Sequence, residues 1–150
     1  MKNTYLAERR LSRERRSSKQ EDMGRIITSV TIENFSDPTK AFRCDALVDT
    51  GASHMVLPKV WKDRLGSLQM VRPVELETAT QETVQGEVCG PVKLQIEGFE
   101  PVSSEVLFIE MTPEDGVYEP LLGYIPLEQS QAAVDMLGHR LLHVKHLDLK

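Results

Sequence analysis

One segment of the chain joins a carboxylate to the residue types that a buried carboxylate requires. The run Ala46-Leu47-Val48-Asp49-Thr50-Gly51-Ala52-Ser53 places Asp49 at the end of an apolar strand. Burying a carboxylate costs free energy unless it is paired or hydrogen-bonded. Thr50 brings a hydroxyl, Gly51 allows a close backbone approach or a positive φ, and Ala52 occupies little space. The segment therefore predicts a site that presents Asp49.

Asp49 has two other interpretations. In the first, it is a turn residue whose carboxylate caps backbone amides at the end of the strand. In the second, it accepts a phosphoryl group. Sites of the haloacid dehalogenase type resemble D-x-D, however, and Gly51 occupies the position of the second carboxylate. A D-S/T-G triplet also arises by chance in about one chain in fifteen of this length, so a second element has to support the catalytic interpretation.

That second element lies far downstream, at Leu121-Leu122-Gly123, and a short helix is predicted after it at 127–132. Between the two motifs, segments 74–78 and 83–88 alternate apolar and polar residues. Alternation of this kind, with a polar segment in the middle, predicts a β-hairpin with an exposed tip.

The remaining pattern is typical of an all-β domain, because short runs rich in β-branched residues are broken by Gly, Pro and Asp. Besides the hairpin, the predicted strands are 26–35, 41–48, 55–57, 92–97, 105–109, 133–135 and 140–144. Pro58 begins a predicted helix at 59–65, and Gly66 ends it.

Together the two motifs and the hairpin resemble the retropepsin-like aspartic proteases, over residues 26–150. The resemblance implies an all-β, mainly antiparallel fold: a closed acid-protease barrel with one or two short helices and one lobe per chain. It implies that Asp49 is catalytic. Supporting roles in the active site fall to Thr50, Gly51, Ala52, Leu121, Leu122 and Gly123. The hairpin corresponds to the flap that closes over substrate, and its tip comprises Ala79, Thr80, Gln81, Glu82 and Thr83.

Two departures from the viral pattern limit what the resemblance implies. Retroviral members usually have Asp after the D-T-G-A run and Arg after the later Gly, an ion pair that helps to hold their dimer together. Here Ser53 and Tyr124 occupy those positions, as in bacterial and other cellular relatives. The flap tip is polar, whereas viral flap tips are glycine-rich and apolar. Substrate preference therefore does not carry over.

The length of the chain bears on how many copies an active site of this kind would need. A chain of 150 residues forms one compact core and not two lobes. Peptide hydrolysis by this chemistry needs two carboxylates that share one proton, because like charges about 3 Å apart cannot both ionise. The chain has one D-T/S-G motif, so a homodimer with Asp49 from each copy at its two-fold axis is expected to act on polypeptide substrates. No cofactor or metal is expected.

Charge divides the chain into a basic arm, residues 1–25, and an acidic domain, residues 26–150. The arm holds eight basic and four acidic residues, which gives +4 and leaves −9 for the domain out of a total of −5. Few apolar positions in the arm predict a frayed helix or disorder. Interspersed acidic residues disfavour nucleic acid as its partner, whereas pairing with the acidic domain is compatible with its charge. A further hypothesis is self-cleavage near Met23 or Gly24.

Several other classes of function are disfavoured. No apolar run approaches the ~20 residues that span a bilayer, and the N-terminus has no apolar signal-peptide core, so a cytoplasmic protein without membrane contact is expected. Cys44 and Cys89 form no CxxC pattern, and His143-x-x-His146 lacks the Glu of a zinc protease. No G-x-S-x-G is present. A second hypothesis keeps the fold without catalysis, as a dimerisation or peptide-binding module.

Overall fold

The computed structural model describes residues 24–78 and 80–144. Most of the predicted arm, and Ala79 at the predicted flap tip, lie outside the described residues. The elements run in chain order as β1 Ile27–Asn34, β2 Asp37–Val48, β3 Met55–Pro58, a 3₁₀ helix Lys59–Leu65, β4 Met70–Glu77, β5 Thr83–Ile96, β6 Val102–Ile109, β7 Leu121–Leu122, α1 Tyr124–Gln129, β8 Ala132–Asp135 and β9 Arg140–His143.

Seven strands form one sheet in the order β1-β2-β7-β3-β6-β5-β4, and an additional antiparallel pairing of β1 with β5 closes six of them into a ring. Strands β2 and β7 are parallel, as are β3 and β6, and the other pairs are antiparallel. The predicted all-β, mainly antiparallel fold with one lobe per chain is therefore confirmed.

Two segments predicted as separate strands belong to one strand, β5. The sequence breaks at Gly90-Pro91, so 83–88 and 92–97 read as two strands, but they form one long strand that bends at this point. Its first half pairs with β4 and its second half with β1, while β6 pairs with both halves across a register shift between Cys89 and Val92. The shared partner β6 holds the two halves in one strand.

Helix α1 begins at Tyr124, three residues before the predicted start. The earlier start is stable because its first N–H groups have acceptors: Tyr124 donates to the Ala52 carbonyl at 2.9 Å and Ile125 to the Ser53 carbonyl at 2.9 Å. Pro126 follows in the first turn, where its missing N–H is tolerated. The helix is thus initiated by tertiary contacts with the segment after Asp49.

Buried apolar side chains fall into two clusters. The first contains the largest fully buried residues, among them Phe108, Ile32, Met55, Leu57 and Leu122. The second cluster contains Leu47, Val56, Val88, Leu107, Ile109 and Leu121. No helix among the described residues is long and apolar enough to span a membrane.

Candidate active site

Asp49 directly follows the last residue of β2, and its carboxylate is fixed from within its own loop. The Gly51 N–H donates to Asp49 Oδ1 at 2.9 Å, and the Ala52 N–H donates to the Asp49 carbonyl at 3.1 Å. A Cβ on Gly51 would lie 3.2 Å from Asp49 Oδ1. Gly51 is not among the residues with positive φ. Of the two reasons given for a glycine here, close backbone approach is therefore the one that applies.

Strand β7 joins the two motifs that the sequence singled out. It lies between β2, to which it is parallel, and β3, to which it is antiparallel. The Asp49 N–H donates to the Leu122 carbonyl at 2.9 Å, and Leu121 and Leu122 are both buried. The downstream apolar element therefore lies against the strand end that carries Asp49, and its supporting role in catalysis stays a prediction.

Gly123 lies directly against the backbone of the loop after Asp49. A Cβ at this position would overlap the His54 carbonyl oxygen, and it would lie 2.6 Å from the Ala52 carbonyl oxygen and 2.6 Å from the Ser53 carbonyl carbon. The Gly123 N–H donates to the His54 carbonyl at 3.0 Å. Only a residue without a side chain permits these hydrogen bonds, so Gly123 sets the spacing between the two motifs.

The second apolar cluster contacts both the Asp49 loop and the β4–β5 hairpin. It includes Leu47 of β2 and Leu121 of β7, and the partly buried Ala52 of the Asp49 loop packs against it. Val74 and Leu76 of β4, which pair with Gly86 and Val84 near the tip of the β4–β5 hairpin, also pack against it. The cluster therefore connects the loop that carries Asp49 with the hairpin.

The tip of the β4–β5 hairpin is polar and tightly turned. The Thr78 N–H donates to the Glu82 carbonyl at 2.9 Å, and the Gln81 N–H donates to the Thr78 carbonyl at 2.9 Å, with Gln81 at a φ of 64°. Thr80, Gln81, Glu82 and Thr83 are exposed. Ala79, also predicted to belong to the tip, lies outside the described residues. The hairpin is thus confirmed as an element, while its action as a flap stays a prediction.

Thr50 is exposed in the single chain, and its predicted bracing role stays a prediction. Beyond it, Ser53 Oγ lies 2.8 Å from His54 Nδ1. The pKa of His54 is lowered from 6.5 chiefly because burial disfavours the charged ring; Glu105 opposes this shift and Arg72 adds to it.

Tyr124, the residue after Gly123, is 43% exposed. Its N–H donates to the Ala52 carbonyl, and the Ser53 carbonyl accepts from the next residue, Ile125, so α1 is hydrogen-bonded to the Asp49 loop at both positions.

One pair beside the site was missed by the sequence reasoning. Arg25, assigned to the arm, pairs with Glu119 at 3.2 Å between Nη2 and Oε1, and its side chain is only 14% exposed. Nothing in the local pattern of either residue indicates this contact, because the two are joined only when β1 and β7 flank β2. Their opposite charges were the only available signal.

Metal and thiol chemistry find no support among residues 24–78 and 80–144. No group of three or more His, Cys, Asp or Glu residues in these ranges could hold a metal ion. Cys44 and Cys89 are free thiols. Burial raises the pKa of Cys44 to about 12, and it also raises the pKa of Cys89. Both groups are therefore poor nucleophiles.

The sequence matches the model of a family described as aspartyl protease, over residues 29–124, well over half of the chain. Among solved structures, the chain is similar to EIAV protease complexed with the inhibitor HBY-793, with 21% sequence identity and a TM-score of 0.48. That match covers 69% of this chain and 86% of the EIAV chain. No curated protein matches the sequence. Because the family match spans both the Asp49 loop and Gly123, the chain belongs to the aspartyl protease family.

Proposed function

We propose that the protein is an aspartic endopeptidase in which two Asp49 carboxylates, one from each copy of a homodimer, activate a water molecule. The observation that carries the proposal is the presentation of Asp49. Its carboxylate is partly exposed at a strand end, with Oδ1 held by the Gly51 N–H and the strand end held by β7. A carboxylate fixed in this way is suited to act on a bound peptide.

The chemistry needs no cofactor. Two adjacent carboxylates share one proton because like charges at short distance cannot both ionise. The ionised carboxylate removes a proton from water while the protonated one donates to the substrate carbonyl oxygen, which gives a tetrahedral intermediate. As the intermediate collapses, the carboxyl group that took a proton from water donates it to the leaving nitrogen and the C–N bond breaks, while the other carboxylate removes a proton from a hydroxyl of the intermediate; the pair again holds one proton.

Features around Asp49 support a polypeptide substrate. The second apolar cluster, with the partly buried Ala52, Val74, Leu76 and Met111 against it, offers apolar contacts for side chains next to the scissile bond. The half of the β4–β5 hairpin nearest its tip packs against this cluster, and in the proposal the hairpin closes over the bound peptide. Closure of such an element excludes water and holds the substrate in position.

The first test replaces Asp49 by Asn and compares it with Asp45→Asn. Asp45 lies on the same strand, is exposed, and accepts a hydrogen bond from the Ser29 hydroxyl at 2.8 Å, so it controls for the loss of one carboxylate. We expect cleavage of casein and of a peptide library to disappear in Asp49→Asn only. Peptidase activity that survives in a folded Asp49→Asn variant would refute the catalytic role.

The second test addresses the homodimer. Wild type and Asp49→Asn are mixed in equal amounts, unfolded and refolded together so that subunits exchange. If both copies supply Asp49, only dimers with two wild-type subunits are active, and the mixture retains about a quarter of the wild-type activity. Retention of half would show that each chain acts alone, and sedimentation analysis reports whether the dimer forms at the assay concentration.

The polar hairpin tip and the replacement of the viral ion pair by Ser53 and Tyr124 favour one alternative, a fold that dimerises or binds peptides without cleaving them. The two functions differ in one outcome. A protein that is dimeric by sedimentation, binds a statine-type inhibitor or peptide, and cleaves nothing from acidic to neutral pH supports the binding module.

A further inference from the structure

Three aromatic side chains are in contact beside the 3₁₀ helix Lys59–Leu65. Trp61 of the helix packs edge-on against Phe42 of β2 and against Tyr118 of the loop before β7, with ring centroids 5.6 and 5.9 Å apart. All three rings are partly exposed. Val60, the neighbour of Trp61, is 67% exposed. Together these four side chains form an aromatic surface that is open to solvent.

Arg64 lies over the aromatic surface. Its guanidinium carbon is 4.8 Å from the ring centroid of Trp61 and 5.9 Å from that of Phe42. Trp61 and Arg64 are three residues apart, and side chains at this spacing eclipse one another in a 3₁₀ helix. A guanidinium that stacks on a ring keeps the N–H donors at its edge available to an acceptor. Arg64 is exposed, so its charge is oriented by the rings and is not neutralised by them.

Basic residues without an ion-pair partner are concentrated at this helix. The described ranges contain nine lysines and arginines. Six of them pair with carboxylates, namely Arg25, Arg43, Lys62, Arg72, Lys93 and Arg140. The other three, Lys40, Lys59 and Arg64, form no ion pair with a described residue, and all three are exposed. Lys59 and Arg64 belong to the helix. Lys40 lies against its end, because a Cβ on Gly66 would be 3.2 Å from Lys40 Cγ.

The charge at the helix is opposite to that of the domain as a whole. Residues 26–150 carry a formal charge of −9, whereas the 3₁₀ helix has three basic residues against one acidic residue, Asp63. Residues 110–120 hold four acidic residues and no basic one, and they border the aromatic surface at Tyr118. An anionic partner is therefore attracted to the helix and to the adjoining part of β2, and it is repelled elsewhere.

The arrangement of the rings favours a peptide over a nucleic acid. Bases bind by stacking on an uncovered ring face, and Arg64 occupies one face of Trp61. Phe42 and Tyr118 contact the same ring at interplanar angles of 71° and 75°. A nucleic acid also carries a dense row of phosphates, which the acidic domain around the helix repels. A peptide carboxylate needs only the edge of the guanidinium, and an apolar side chain can contact Val60 and the ring edges.

We propose that the aromatic surface binds an acidic segment of a partner polypeptide. Lys40, Lys59 and Arg64 pair with the carboxylates of the segment, and an apolar side chain of the segment packs beside Val60. Asp49 lies seven residues beyond Phe42 along the chain, about 23 Å at the rise of a β-strand. The surface is therefore separate from the candidate active site, and binding to it does not depend on the proposed function.

Trp61 reports on binding directly, because it is the single tryptophan of the chain and belongs to the surface. The full chain carrying Asp49→Asn is titrated with a capped peptide in which glutamates flank a central leucine; this background avoids consumption of the peptide. We expect a saturable change in Trp61 fluorescence, with an affinity that falls as salt screens the charges. The same peptide with lysine in place of glutamate should leave the fluorescence unchanged.

A matched pair of double variants locates the binding surface. Lys59→Gln with Arg64→Gln removes two unpaired charges. The dissociation constant of the acidic peptide should rise by about fivefold or more, because exposed ion pairs are individually weak but two are lost together. The control, Arg43→Gln with Arg140→Gln, removes two charges that already have ion-pair partners, and it should leave the dissociation constant unchanged. Circular dichroism confirms that each variant is folded.

Three outcomes would overturn the proposal: no saturable change with the acidic peptide at low salt, unchanged affinity in Lys59→Gln with Arg64→Gln, or equal weakening in the control. Unchanged affinity would place the peptide on other basic residues, such as the eight within residues 1–25. A single-stranded oligonucleotide that binds more tightly than the peptide would replace the proposed partner by a nucleic acid. Fluorescence that changes with protein concentration alone would show that a second copy covers the surface. None of these measurements requires peptidase activity.

Discussion

Replacing Gly123 by alanine should separate the two motifs that build the site. Gly123 has φ of −83° and ψ of 180°, an extended conformation that any residue adopts. Its backbone geometry therefore does not require glycine, and the effect of a side chain is purely steric. The added Cβ would overlap the His54 carbonyl oxygen and would approach two further backbone atoms to 2.6 Å. Backbone atoms cannot rotate away as a flexible side chain would.

The size of the effect follows from the contacts that must open. Moving β7 away from the Asp49 loop stretches three hydrogen bonds, from the N–H groups of Gly123, Tyr124 and Ile125 to carbonyls of the loop, which measure 2.9 to 3.0 Å. Each such bond contributes about 1 kcal/mol net. We therefore expect the free energy of unfolding to fall by about 3 kcal/mol, a large fraction of the total for a domain of this size.

The assay is urea unfolding followed by the fluorescence of Trp61, the single tryptophan of the chain. Protein concentration is held constant, because dimerisation would make apparent stability depend on it. Gly98→Ala is the control: Gly98 has a φ of 88° and open space around its Cβ position. That variant tests backbone strain without overlap, and it should lose about 1 kcal/mol.

Peptidase activity gives a second readout. In the absence of urea, where the Gly123→Ala variant remains folded, its activity should still fall because the loop after Asp49 is displaced. The activity of Gly98→Ala should stay close to that of wild type. A Gly123→Ala variant within about 0.5 kcal/mol of wild type, with full activity, would refute the reasoning that this glycine sets the spacing of the motifs.

Three further predictions concern single groups. Asn34→Ala should lower the free energy of unfolding by about 2 to 3 kcal/mol, because the buried Asn34 amide donates to the Leu65 and Ser67 carbonyls at 2.7 and 2.8 Å; urea unfolding measures this. The lowered pKa of His54 means that the unfolded state binds more protons, so wild-type stability should decline as pH falls below 6.5, and His54→Gln should flatten that decline in unfolding measured across pH. Cys44, with its pKa raised to about 12, should react with iodoacetamide at pH 8 only in denaturant, as mass spectrometry would show.

The sequence predicted the parts of the fold that depend on local pattern. Alternating runs gave the strands and the β4–β5 hairpin, and Pro58 and Gly66 gave the bounds of the helix between them. The two motifs, Asp49-Thr50-Gly51 and Leu121-Leu122-Gly123, were identified because each consists of adjacent residues of recognisable type. The resemblance they implied is confirmed at the level of the family.

Features that depend on contacts between distant segments were placed wrongly or missed. The start of α1 was predicted too late, because its first two N–H groups find acceptors in the Asp49 loop. Strand β5 was divided at Gly90-Pro91, because the pairing with β6 that holds it together is not a local property. The Arg25–Glu119 ion pair was missed for the same reason.

The sequence by itself determined the chemistry that is available, a carboxylate at a strand end with a glycine two residues later and an apolar-apolar-Gly element downstream. Only the tertiary structure decided how these are held. It places β7 between β2 and β3, brings Gly123 against the loop after Asp49, and pairs Arg25 with Glu119. The residue types can be read directly from the sequence. The distances between them follow from the strand order, which is set by pairings between segments far apart in the chain.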